Sequence, residues 1–214
     1  MELTGKKINF LGDSITEGFC ATTPERSFVE VIKRLYNLAE VRNYGIAGTR
    51  IARQRTPSEA ARFDLDFCGR FDTMDKDAQV IVVFGGTNDH GHGDAPMGSS
   101  TDRTPETFRG ACHYLFSRLP KRFPDAKILI LTPLHRLDEN NPKGAEGWLL
   151  KDYVQVIRDT AAVYGLPVLD LFETSAIRAH IPEIAAKLTT DGLHPNDEGH
   201  EILAREIGEY LIHL

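Results

Sequence analysis

The sequence predicts an α/β chain: an open parallel sheet with helices packed on both faces. Three observations carry that expectation. Short runs that are almost wholly apolar, KINFL at 7–11, QVIVVF at 79–84 and KILIL at 127–131, are what strands covered on both faces require. They alternate with stretches whose apolar residues recur at helical spacing. A repeated β-α-β order favours parallel strands joined by right-handed crossovers.

Lys7–Leu11 reads as the first strand. Ser27–Leu38 follows as a helix, with Phe28, Val31, Ile32, Leu35 and Leu38 on one stripe. Val41–Tyr44 is a short second strand, and Pro57–Phe67 a weaker helix. Gln79–Phe84 is the third strand. Pro105–Arg122 reads as a helix with Thr104 as N-cap and Pro105 at its first position. Lys127–Leu131 is the fourth strand. Glu146–Tyr164 is a helix closed by Gly165 and Pro167. Val168–Leu171 is the last strand and Asn196–Ile212 the closing helix. His90–Arg103, rich in Gly, His, Asp and Ser, reads as a long surface loop, a kind that is often functional.

The 214 residues are enough for one sizeable core, so one domain over 1–214 is expected. Composition is that of a globular protein, 41% hydrophobic and 26% charged, with a net charge of −6. That acidic balance argues against nucleic acid or an anionic membrane as partner. No apolar run approaches the roughly 20 residues that span a bilayer. The N-terminal apolar run is too short for a signal peptide, so the chain reads as cytoplasmic. Cys20, Cys68 and Cys112 are odd in number and widely spaced, which favours free thiols over disulfides. Neither composition nor pattern predicts an oligomeric state.

Ligands of open parallel sheets bind at the carboxyl ends of the strands. Gly12-Asp13-Ser14 follows the first predicted strand, and Gly45 and Gly48 follow the second. Gly85-Gly86-Thr87-Asn88-Asp89 follows the third, and Thr132, Pro133 and His135 the fourth. DGLHPN, residues 191–196, lies downstream of the fifth. Small and hydrogen-bonding residues therefore gather on one predicted rim, which makes a site hypothesis.

Acyl transfer assigns roles to them. A serine hydroxyl needs a base to take its proton. His194 is the leading base, because Asp191, three residues earlier in a turn-like stretch, can fix its tautomer. The backbone amides of Ser14 and Gly48 and the side-chain amide of Asn88 are candidate donors to an oxyanion. Asp13 is read as a structural carboxylate bonding to nearby amides.

GDS at 12–14, NYGIAG ending at Gly48, GGTND at 85–89 and DGLHPN at 191–196 resemble the four motif blocks of the SGNH, or GDSL-type, lipase/acylhydrolases. The blocks stand in family order over Ile8 to about His200. The resemblance implies a three-layer α/β/α flavodoxin-like sandwich around a five-stranded parallel sheet. It implies Ser14 as nucleophile, His194 as base and Asp191 as its partner. Oxyanion donors would come from Ser14, Gly48 and Asn88, and the substrate would be a small-molecule carboxylic ester. The first block reads GDSIT rather than GDSL.

Each segment alone has a plainer reading. Ser14 could cap a turn, Gly48 and Asn88 could serve turns, and Asp191–His194 could be a surface pair beside the last helix. His135 is either a wall of the substrate pocket or a half-exposed loop histidine. Trp148, in the region 136–148, is a candidate pocket aromatic. His90 and His92 match no family role, and two histidines two apart are weak evidence for a metal. His200 is expected to be structural. No metal or cofactor is expected. The competing functions are a metal-dependent phosphoesterase and a non-catalytic flavin- or nucleotide-binding module. Asp13 and Glu17 in the first loop disfavour the latter, since a phosphate there needs amides and no like charge. Specificity is expected from 90–103 and 136–148, with a lean toward short acyl groups such as acetyl on a carbohydrate.

Overall fold

The strands form one all-parallel sheet in the order β2-β1-β3-β4-β5. They are β1 (Lys7–Gly12), β2 (Glu40–Gly45), β3 (Val80–Phe84), β4 (Lys127–Leu131) and β5 (Val168–Leu169). The computed structural model describes residues 1–143 and 146–214. β3 lies centrally and all five of its residues are buried, as its unbroken apolar run requires. The register pairs Gly12 with Gly45 and with Phe84, and Phe84 with Leu131, so the strand ends share one rim. After β2 the chain crosses back over β1 to reach β3. That reversal places the ends of β1 and β3 side by side, the position where open α/β sheets bind ligands.

Period-two alternation sends side chains to opposite faces and creates two cores. Leu11, Ile81, Val83 and Ile130 pack with Phe67, Phe108, Phe116 and Ile157 from α3 (Phe67–Arg70), α5 (Phe108–Arg122) and α6 (Leu150–Val163). Phe10, Val82 and Leu129 pack on the other face with Phe28, Ile32, Leu203 and Ile207 from α2 (Phe28–Leu35) and α9 (Asp197–His213). The result is the expected three-layer sandwich. Burial of each such side chain contributes about 1.5–3 kcal/mol. No described helix is long and apolar enough to cross a membrane.

Several elements differ from the sequence reading. The predicted helix Pro57–Phe67 is a 3₁₀ turn, Ala61–Asp64, followed by α3, because Asp66 accepts from the Gly69 amide and starts a new helix there. Thr107, not Thr104, caps α5 by accepting from Gly110 N, so Pro105 stays outside. α6 starts at Leu150, where Asp152 accepts from the Leu149 amide, rather than at Glu146. β5 stops at Leu169 because Asp170 caps α7 (Leu171–Thr174). The segment read as a loop from His90 opens inside α4 (Thr87–His92). α8 (Pro182–Leu188) was not anticipated.

Candidate active site

β1 ends at Gly12, and the chain turns at once into α1 (Ser14–Glu17), with Asp13 as its N-cap. Asp13 Oδ1 accepts from Ile15 N at 3.1 Å. This turn seats Ser14 on the rim, 5% exposed. α1 lies directly over β2: a Cβ on Gly45 would fall 2.2 Å from the Glu17 amide nitrogen, so only glycine fits.

The loop before α9 brings His194 to Ser14. Asp191 shapes it: Oδ1 accepts from the amides of Leu193 at 3.0 Å and His194 at 2.8 Å. Oδ2 faces His194 Nδ1 at 2.7 Å, and His194 Nε2 faces Ser14 Oγ at 2.9 Å. A carboxylate can only accept, so Nδ1 carries the proton and Nε2 is free to accept from the serine hydroxyl. Burial pushes the Asp191 carboxyl up, but the His194 amide and ring outweigh that and hold it below the usual carboxylate value. Phe19 stands edge-on to the His194 ring, centroids 4.7 Å apart, and is 53% exposed.

Ser14, Gly48, Asn88 and His194 line one cavity of about 330 Å³, with Phe19, Phe63, His92 and Arg136 among its other walls. Gly48 has φ +76°, a conformation that favours glycine, and a Cβ there would lie 2.7 Å from the Phe63 ring. Asn88 Nδ2 donates one hydrogen to Thr49 O at 3.0 Å. Its second hydrogen remains for a group in the cavity. A serine hydroxyl on an oriented imidazole, with Gly48 and Asn88 lining the same cavity, is an arrangement that acyl transfer can use.

A model of the GDSL-like lipase/acylhydrolase family matches residues 10–202. The chain belongs to that family. A crystal structure of a Lactobacillus plantarum protein is 29% identical, with 98% of each chain covered and a TM-score of 0.84. Another crystal structure, also 29% identical, covers 100% of this chain and 99% of its own, with a TM-score of 0.87. An acetyl xylan esterase shares the fold at 21% identity and a TM-score of 0.64, over 96% of this chain and 99% of that one. No curated protein sequence matches the chain.

In this GDSL-like chain, a buried carboxylate and a half-buried guanidinium that the sequence reading left unassigned tie the rim loops together. Asp89 accepts from Ile51 N and Ala52 N, each at 2.9 Å, and so binds the Gly48 loop to the end of β3. Burial raises its pKa to about 6, against the pull of those two amides and of Arg50. Asp89→Asn sets the ~1–3 kcal/mol cost of an amide facing an NH₂ group against relief of the buried charge, so its deficit in chemical denaturation should be larger near pH 4 than near pH 8. Arg70 donates to Tyr44 O, to Gly12 O at 2.7 Å and to Thr49 Oγ1 at 3.1 Å, joining the ends of β1 and β2. Burial lowers its pKa to about 10. No motif marks Arg70, because its partners are backbone atoms brought close only by the fold.

The histidines separate by environment. His92 is a cavity wall; Arg50 donates to its Nδ1 at 2.8 Å, leaving the proton on Nε2. Burial, then Arg50, lowers the His92 pKa. His90 is fully buried, with its ring edge-on to Tyr153 and Nε2 facing Asn141 O at 3.3 Å. His200 accepts from Phe28 N at 3.3 Å and stacks on the Phe28 ring, a structural placement.

His135 and Trp148, both candidates for the pocket wall, are not among the residues that line this cavity. His135 turns instead to Glu139, at 2.8 and 3.0 Å from its carboxylate oxygens, and packs on Phe172. Trp148 Nε1 donates to Glu146 at 2.8 Å, which holds the ring in its own turn. From the region 136–148, Arg136 reaches the cavity; residues 144 and 145 lie outside the described residues.

Proposed function

We propose that the protein is a serine esterase that cleaves a carboxylic ester through an acyl-enzyme on Ser14. The observation that carries this reading is the hydrogen-bond chain Ser14 Oγ–His194 Nε2–His194 Nδ1–Asp191 Oδ2, at 2.9 and 2.7 Å, opening on a cavity. Ser14 Oγ attacks the ester carbonyl carbon while its proton passes to His194 Nε2. Asp191 stabilises the imidazolium. The carbonyl oxygen becomes an oxyanion held by the amides of Ser14 and Gly48 and the second Asn88 hydrogen. As the C–O bond to the leaving group breaks, His194 returns the proton to the departing alcohol. Water then attacks the acyl-enzyme with His194 again as base, releasing the acid and restoring Ser14.

The substrate is an ester with a short acyl group, acetyl on a carbohydrate being the leading class. A cavity of about 330 Å³ framed by Phe19, Phe63 and Leu193 suits a short acyl chain. The phosphoesterase reading fits less well, because Asp89, which it would need as a ligand, has both oxygens on backbone amides, and Asp13 Oδ1 is likewise engaged.

Two measurements test the reading. A panel of p-nitrophenyl esters should show kcat/KM falling as the acyl chain lengthens beyond a few carbons; a rise with chain length would contradict the short-acyl assignment. Asn88→Ala should lower kcat by ~10²–10³-fold with little change in KM, the size of an oxyanion donor's effect. Unchanged kcat would remove Asn88 from that role.

A further inference from the structure

Outside the cavity, the carboxyl rim of the sheet holds a second cluster of metal-binding side chains. A ring nitrogen of His135, a ring nitrogen of His180 and a carboxylate oxygen of Glu139 all lie within 4.8 Å of one another. The elements that supply them are separate. His135 and Glu139 stand in the turn after β4, and His180 lies between α7 and α8.

Three observations set this cluster apart from an ordinary ion pair. Glu139 is buried, its side chain only 9% exposed, and its carboxylate faces His135 Nδ1 at 2.8 Å and accepts from the Arg136 amide at 3.1 Å. Next, the His135 and His180 ring centroids lie 4.0 Å apart, so imidazoles from two separate segments meet at one point. Lastly, His180 Nδ1 is buried and has no hydrogen-bond partner among the described residues. A buried polar nitrogen left without a partner costs about 1–3 kcal/mol. A metal ion bound through that nitrogen, beside His135 and Glu139, would give it one.

We propose that His135, Glu139 and His180 form a Zn²⁺ site. Two imidazoles and one carboxylate are a ligand set that zinc accepts in tetrahedral geometry, with a water in the fourth position. On binding, a neutral His135 ring offers one nitrogen's lone pair to the metal and keeps its N–H on the other nitrogen, while Glu139 binds as the carboxylate. The ion would clip the turn after β4 to the segment following α7. That turn also carries Arg136, a wall of the cavity, and Leu137, whose amide donates to Gly192 O at 2.9 Å in the loop that presents His194. The site does not depend on the ester chemistry proposed above.

The test is titration of chelator-treated protein with ZnCl₂ by calorimetry, paired with CoCl₂ titration followed by visible absorption. Wild type should bind one zinc per chain, and cobalt should give a tetrahedral ligand-field spectrum without a thiolate charge-transfer band. His180→Ala and Glu139→Gln should each weaken zinc binding by ~100-fold or more, since even outer-shell changes cost up to that much. Zinc should raise the Tm of wild type and leave that of His180→Ala unmoved. The control is Cys20→Ser, because Cys20, Asp191 and His194 also place one ligand atom each within 4.8 Å of one another. That variant should bind zinc as wild type does. No zinc binding by wild type, binding undiminished in both site variants, a cobalt–thiolate band, or loss of binding in Cys20→Ser would each overturn the proposal.

Discussion

Ester hydrolysis by the Ser14→Ala variant should fall by ~10⁴–10⁶-fold in kcat, the scale at which removing a triad nucleophile acts. The fold should survive. Among the described residues, the Ser14 hydroxyl makes one side-chain hydrogen bond, to His194. Its removal leaves Asp13, the Gly12 turn and α1 in place, so stability should stay within about 0.5 kcal/mol of wild type. His194→Ala should lose activity on the same scale. The double variant should be no slower than either single one, because nucleophile and base act as one unit. Additive losses would mean that the two residues work independently, which the 2.9 Å contact argues against.

Asp13→Asn should stabilise the protein at neutral to alkaline pH. Burial raises the Asp13 pKa from 3.8 to about 7, a push only partly offset by the Ile15 amide. Between those two values the folded chain keeps a proton that the unfolded chain has released. Stability from this group therefore falls as pH rises from about 4 to about 7 and is level above that. A shift of about three units at ~1.4 kcal/mol each amounts to ~4 kcal/mol. Asparagine retains an acceptor for the Ile15 amide and carries no charge to desolvate. In urea denaturation the variant should exceed wild type by up to ~4 kcal/mol near pH 8, with the gap closing near pH 4. Asp89 adds a slope of the same sign up to about 6 in both proteins. A variant less stable than wild type near pH 8 would show that Asp13 is a favourable carboxylate there.

The strands were readable because their signal is local. Every residue of β3 is buried, so its run had to be apolar throughout. Helix ends were less readable where several residues could cap: Thr104 and Thr107 both precede apolar residues, and tertiary contacts select Thr107. Pro57–Phe67 read only as a weaker helix, and the segment instead serves Arg50, which donates to Ser58 Oγ, Phe63 O and Asp64. α8 carried a visible start in Pro182, but its seven residues offer little periodicity.

The same distinction holds at the site. Ser14, Gly48, Asn88 and His194 each follow a strand end or sit in a short polar motif, and they line one cavity, with Asp191 behind His194. Phe19, Phe63 and Arg136 line it too, yet they come from segments without periodicity. His135 was placed on the correct rim, but a position on a rim does not fix where a ring turns. Glu139, four residues on, draws it away from the cavity.

Reaction with a fluorophosphonate tests most directly whether Ser14 is the nucleophile. Peptide mass spectrometry should find one adduct per chain, on Ser14, with esterase activity falling in step with labelling and no adduct on Ser14→Ala. Full ester hydrolysis by protein completely labelled at Ser14, or inactivation through a label on another residue, would contradict it.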